Sequence, residues 1–144
     1  MKKIFFILIL LTTLHSKSVN AQVNGVPDTL AYLQTILANK AQYVGQPFSV
    51  LYNSLQLQVK FFSPFASIPY AKNKETSTSF SFYFPVDSHD DFYLTYPKLE
   101  VCWQIPLNAN QSDILWQSNN GGGWSTVVSN FYANGIIADI KVRE

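Results

Sequence analysis

Apolar residues in this chain first recur at helical spacing and then, from residue 56 onward, alternate with polar ones. This change constrains the fold more than any other feature of the sequence. Residues 28–40 have an apolar stripe with the spacing of an amphipathic helix. Its members are Leu30, Leu33, Ile36 and Leu37. A second, shorter helix is predicted to begin at Pro47, whose missing N–H is not needed in a first turn. Its predicted buried side consists of Phe48, Leu51 and Leu55.

Four later segments alternate apolar and polar side chains, which predicts half-buried β-strands. They are 56–62, 76–84, 98–105 and 136–142. Antiparallel sheets with one covered face have this alternation, and the two helices supply the cover. We therefore predict a two-layer α+β domain, in which two N-terminal helices pack on an antiparallel sheet of about four strands. The alternative is a mostly-β sandwich with the helices at one end.

The alternation also predicts which side chains of the last two strands point to the core. On the third strand they are Leu99, Val101, Trp103 and Ile105. On the fourth strand they are Ile136, Ala138, Ile140 and Val142. Cys102 is the only cysteine, so it cannot form a disulfide within the chain. Because free cysteines are among the most buried residue types, we expect it to be a small apolar filler.

The N-terminus has the order of a cleavable signal peptide, which is positive charge, apolar run, then small residue. Lys2 and Lys3 precede the apolar run 4–14, which is too short to cross a membrane as a helix. Val19 and Ala21 suit a signal peptidase, so cleavage is predicted after Ala21. The predicted organisation is a signal peptide at 1–21 and a single domain at 22–144, exported to the periplasm, the cell surface or the medium.

Charge argues against two classes of partner. Removal of residues 1–21 leaves seven basic and nine acidic residues, so the net charge changes from +1 to −2. The basic residues do not cluster, whereas nucleic-acid binding requires a basic stripe and anionic membranes attract one. We therefore expect neither nucleic acid nor a membrane as partner, and no later stretch is apolar enough to predict a membrane span.

The chain is poor in catalytic side chains. His89 is the only histidine after residue 21, Cys102 is the only thiol, and there is no G-x-S-x-G elbow. Asp87, Asp90 and Asp91 surround His89, but their spacing is not that of a calcium loop, and zinc requires more ligands. A polar turn is the preferred interpretation. No catalytic residue, metal or cofactor is predicted.

Residues 44–59 resemble the valine–glycine, helix, strand opening of PASTA cell-wall modules. The resemblance is carried by Val44, Gly45, Gln46, Pro47, Phe48 and Ser49, then Leu51, Leu55, Leu57 and Val59. PASTA modules are shorter and usually repeated in tandem. The resemblance therefore implies only a local connection from helix to strand.

Aromatic rings beside amide side chains form the candidate binding site. The stretch 107–123 is predicted to be irregular, its glycine triplet 121–123 to be a flexible turn, and 124–132 fits either a helical turn or a loop. The candidate residues are Trp116, Asn119, Asn120, Trp124 and Tyr132. Such rings contact sugars or peptides, or else they fill the ends of the core.

Three functions follow from these observations. The leading hypothesis is a non-enzymatic exported protein that binds a protein, peptide or glycan partner. The second is a small secreted hydrolase that uses carboxylates of the connection 85–97. The third is a structural subunit that pairs through a sheet edge.

Overall fold

The computed structural model of the chain describes residues 29–66, 71–83 and 96–143. In these residues two helices precede the strands, as the sequence predicts. Helix α1 is Thr29–Ala38 and helix α2 is Phe48–Ser54, with a short 3-10 helix, Lys40–Gln42, between them. Helix α1 buries Leu33 and Ile36, which lie on one face because they are three residues apart.

The strands form one antiparallel sheet in the order β1-β2-β3-β4. Strand β1 is Phe61–Phe65, β2 is Lys74–Ser81, β3 is Lys98–Asn108 and β4 is Ile137–Arg143. Helices α3, Ala109–Ser118, and α4, Thr126–Tyr132, lie between β3 and β4 in the chain. Buried side chains of the helices and of one sheet face belong to one core. The predicted α+β architecture is therefore confirmed, and the described residues contain no second sheet of a sandwich.

The prediction that 107–123 is irregular is wrong, because α3 occupies most of it. Asn108, the last residue of β3, caps this helix: its side-chain oxygen accepts the N–H groups of Asn110 and Gln111 at 3.1 and 3.3 Å. Asparagine is a preferred residue at this position because it satisfies N–H groups that lack a partner within the helix. The ambiguous segment 124–132 is also helical, since α4 follows a cap at Ser125.

The N-terminus of α2 is capped by a distant part of the chain. Pro47 precedes it and provides no side-chain hydrogen bond. The N–H groups of Phe48 and Ser49 donate instead to the carbonyls of Gly135 and Ala133, at 2.8 and 3.0 Å. The resemblance to PASTA modules and the alternation at 56–62 place Leu57 and Val59 in a strand, and this prediction is wrong: residues 55–60 are not in a strand, and β1 begins only at residue 61.

An extra residue in β4 reverses the predicted alternation at the beginning of that strand. Ala138 has no opposite residue in β3. One unpaired residue reverses the sheet face to which the side chains on one side of it point. Ile137 is therefore fully buried in place of Ile136 and Ala138, whereas Ile140, beyond the bulge, faces the core as predicted.

A larger irregularity occurs in β3. Between Ser77 and Glu75, a single residue of β2 is opposite four residues of β3, 103–106. Bulged residues change which side chains face the core. Ile105, predicted to point inward, is 72% exposed, whereas Glu75 is completely buried.

Cys102 lies on the sheet face opposite the core. It is half-buried between Ser77 of β2 and Asp139 of β4, because its neighbours Val101 and Trp103 point inward. Partial burial raises the pKa of the thiol. The expectation of a core filler is therefore wrong, because Cys102 packs within the outer face.

Candidate functional site

The residues predicted to form a binding site divide between the core and the surface. Tyr132 is completely buried, and Trp124 packs against the core. Trp116 is 40% exposed, Asn120 is exposed and Asn119 is half-buried. Only part of the predicted set is therefore accessible to a partner.

Trp124 and Tyr132 pack together inside an aromatic cluster. Their rings stack with centroids 6.3 Å apart, and Trp124 meets Phe80 edge-on at 5.6 Å. The indole N–H of Trp124 donates to the Tyr52 hydroxyl at 3.0 Å. These contacts agree with the alternative interpretation, in which the two rings fill the core. The prediction that Tyr132 borders a binding surface is wrong, because Tyr132 has no exposed surface.

Trp116 lies in the last turn of α3 and covers the turn that follows. The N–H groups of Gly121 and Gly122 both donate to the Trp116 carbonyl at 3.0 Å. Gly122 has a φ of +105°, and a β-carbon there would lie 2.7 Å from Trp116 Nε1 and 2.4 Å from the Phe62 carbonyl oxygen. The glycine triplet is thus a closely packed turn rather than the flexible one that the sequence predicts, because only glycine fits between the indole and β1.

Polar groups flank the exposed indole. Asp113 precedes Trp116 by three residues and lies on the same side of α3. Asn120 follows in the left-handed region, with a φ of +53°, and is exposed. Asn119 instead closes the helix, since its amide donates to the Leu115 carbonyl at 2.8 Å. Within the described ranges the Trp116 Nε1 has no hydrogen-bond acceptor. We call Asp113, Trp116 and Asn120 the Trp116 corner.

A buried carboxylate is the residue that sequence reasoning missed. Glu75 accepts hydrogen bonds from the hydroxyls of Thr78 and, at 3.1 Å, Tyr132. The indole N–H of Trp103 donates to Thr78 Oγ1 at 2.9 Å, and the Ser112 hydroxyl also lies beside the carboxylate. Burial raises the pKa of Glu75, and these hydroxyls partly offset the rise.

Nothing in the sequence marks Glu75 as special. It lies between Lys74 and Thr76, just before the predicted strand, where an exposed carboxylate is the ordinary expectation. The bulge that turns it inward depends on the pairing of β2 with β3. Because Glu75 is 0% exposed, a substrate cannot reach it in this structure.

Metal chemistry has no support in the described part of the chain. Residues 29–66, 71–83 and 96–143 contain no group of three His, Cys, Asp or Glu side chains placed to hold a metal ion. Asp87, Asp90, Asp91 and His89 lie outside the described residues, as does the predicted signal peptide 1–21. What was predicted of them stays a prediction.

None of the helices in the described ranges has the length and apolar character that a membrane crossing requires. The chain matches no known protein family, no curated protein and no solved structure.

Proposed function

We propose that the mature domain is a non-catalytic binding protein that acts outside the cytoplasm, and that its contact surface is the Trp116 corner. One observation carries this proposal: a large aromatic side chain is 40% exposed while it is fixed against a glycine turn. Tryptophan is enriched among residues that dominate binding energy. A ring held in place before binding loses little conformational freedom when a partner arrives.

The chemistry of the corner favours a carbohydrate as the partner. The face of an indole carries partial negative charge and attracts the C–H groups of a sugar ring. The Asp113 carboxylate is an acceptor and the Asn120 amide offers both a donor and an acceptor, so together they match a ligand rich in hydroxyl groups. Exposed Asp113 and Asn120 can form these bonds without rearrangement of the core.

A glycan array followed by titration calorimetry tests the proposal. The wild-type chain should bind at least one saccharide, and Trp116→Ala should weaken binding by about 30-fold, the loss expected at a hot spot. Asp113→Asn should weaken it less. Val127→Ala is the matched control, because Val127 is 65% exposed on α4 and outside the corner. Equal affinities for Trp116→Ala and the control would contradict the assignment.

A protein partner is the second candidate, favoured by Ile114. This residue is 66% exposed on the same helix as Trp116. An aliphatic side chain cannot hydrogen-bond to a sugar hydroxyl, but its burial against apolar surface of a protein is favourable. Ile114→Ala should therefore reduce capture of a surface protein and leave saccharide binding unchanged. The two candidates are distinguished by which of the two variants loses binding.

The other two hypotheses have less support. For a hydrolase, the carboxylates of segment 85–97 lie outside the described residues, and Glu75 is shielded. For edge pairing, the edge of β1 is partly occupied, since the Phe62 N–H donates to the Gly122 carbonyl at 2.8 Å and Pro64 has no N–H. The Gly45 N–H likewise donates to the Ile137 carbonyl at the start of β4.

Export is tested separately. The intact mass of protein recovered from the envelope or the medium should correspond to a chain that begins at Gln22, within a residue or two. A mass that retains residues 1–21 in the exported fraction would contradict the proposed cleavage. Binding measurements on the mature chain do not depend on this result.

A further inference from the structure

The fully buried side chains of helix α3 are small. Its buried residues are Ala109 and Ser112, whereas α4 buries Val128 and Tyr132. Hydrophobic stabilisation is roughly proportional to the apolar area removed from water, and Ala and Ser contribute little of it. Among the four α-helices of the described residues, α3 has the least fully buried apolar surface, Ala109 alone, although half-buried Leu115 also packs against the core. We therefore expect its local opening to require less free energy than that of α4.

The inner side of α3 meets the carboxylate of Glu75. Four elements surround this group: β2 with Thr78, β3 with Trp103 acting through Thr78, α3 with Ser112, and α4 with Tyr132. Tyr132 is the only titratable side chain hydrogen-bonded to Glu75 within the described ranges. Neither ion pair of the described residues includes Glu75.

An ionised Glu75 is thus a buried charge to which the described residues supply no cation. Burial raises its pKa, which means that the closed core favours the neutral acid. A buried, unpaired charge is costly, and water relieves that cost. On the α3 side the carboxylate is covered by Ser112, a short side chain, so displacement of α3 exposes the carboxylate to water.

We propose that Glu75 makes the attachment of α3 dependent on pH: α3 is docked while Glu75 is protonated, and ionisation of Glu75 favours an open state in which water reaches the carboxylate. The open population should rise with pH by up to about tenfold per unit, because one proton is released on opening. The rise begins near pH 4.5, the ordinary pKa of the carboxyl group, and stops above the raised pKa that Glu75 has in the docked state. Because α3 carries Trp116, binding at the Trp116 corner should decline over the same range; that consequence rests on the proposed function, whereas the opening itself does not.

Hydrogen exchange on the full mature chain tests the opening without any ligand. Amide protection of α3 is compared between wild type and Glu75→Gln at each pH from about 5 to about 9, the range in which buried glutamates titrate. The ratio of α3 exchange rates, wild type over variant, should increase with pH until the raised pKa of Glu75 is passed. Comparison at equal pH cancels base catalysis of exchange. Helix α4 should change less, and Glu100→Gln, on the outer face, should behave as wild type.

Two results would overturn the proposal. One is a ratio of α3 exchange rates that stays constant with pH. The other needs only the wild-type chain, so it applies even if Glu75→Gln fails to fold. It is an NMR titration of the Glu75 carboxyl carbon that gives a pKa at or below 4.5. Failure of saccharide binding would leave both measurements unaffected, so the two proposals fail separately.

Discussion

The Tyr132 hydroxyl lies 3.1 Å from Oε1 of Glu75, and neither side chain has any exposed surface. The two residues are 57 positions apart and belong to α4 and β2. Burial, and then the nearby carboxylate, raise the pKa of Tyr132, so this hydroxyl stays protonated and remains a donor. The hydrogen bond therefore joins the last helix to the bulged part of the sheet whatever the charge of Glu75.

Tyr132→Phe should lower the free energy of unfolding by about 1–3 kcal/mol, the cost of leaving a buried acceptor without its donor. The loss should be larger at high pH, where Glu75 is ionised and needs the donor more. Urea unfolding at two pH values measures both effects. Tyr43→Phe is the control, because its hydroxyl bonds only Ser54 at an exposed position. Equal losses in the two variants would contradict the role given to Tyr132.

The pH dependence of stability should carry the signature of Glu75. A carboxyl whose pKa is raised in the folded state stabilises the fold fully below its unfolded pKa, and this contribution is lost as pH rises through the folded value. The free energy of unfolding should therefore fall above pH 4.5, by up to about 1.4 kcal/mol per pH unit. Glu75→Gln should remove this slope, and Glu100→Gln should keep it.

Asp139 should contribute only at lower pH. Its hydrogen bond with Lys40 lowers the pKa of this carboxyl below 3.8, so the stability it adds is lost as pH falls through that lowered value. The pair is well exposed and is expected to add less than about 1 kcal/mol. The Glu75 and Asp139 contributions thus occupy separate pH ranges, and a slope above pH 4.5 that persists in Glu75→Gln would have to come from another group.

The two tryptophans near the glycine turn should respond differently to truncation. Trp124→Ala should cost about 3–5 kcal/mol of stability, because it opens a cavity beside Phe80 and Tyr132. Trp116→Ala should cost less than about half of that, since its ring is 40% exposed. Chemical unfolding of both variants measures the two losses of stability. A loss for Trp116→Ala as large as that for Trp124→Ala would mean that Trp116 is a core residue as well.

The glycine turn should reject a side chain at one position more than at the other. Gly122→Ala places a β-carbon 2.4 Å from the Phe62 carbonyl oxygen, which is backbone and cannot move away cheaply. Gly121→Ala has only ordinary contacts, the nearest at 3.6 Å, and should cost about 1–2 kcal/mol from its positive φ alone. Unfolding measurements should rank Gly122→Ala as clearly the more destabilised. The reverse order would contradict the packing of Trp116 on this turn.

Much of the fold was predictable because its signals are local. The helical stripe of α1 and the alternation of β2 and β3 depend on near neighbours in the chain, so they are visible in the sequence. Helix α3 was missed although its cap, Asn108, is a recognisable start signal, because β3 runs directly into it. Likewise, nothing local indicates that α2 is capped by the carbonyls of Ala133 and Gly135.

The sequence by itself determined the α+β class, the two N-terminal helices, the presence of four later strands, and the inward face of many strand residues. Only the tertiary structure decided that Glu75 is buried, that Ile105 is exposed, and that Trp124 packs inward while Trp116 faces solvent. The physical reason is register. A bulge is created by how two strands pair, and one unpaired residue changes the face of all that follow. Residues far apart in the chain therefore decide together which side chains are available for binding.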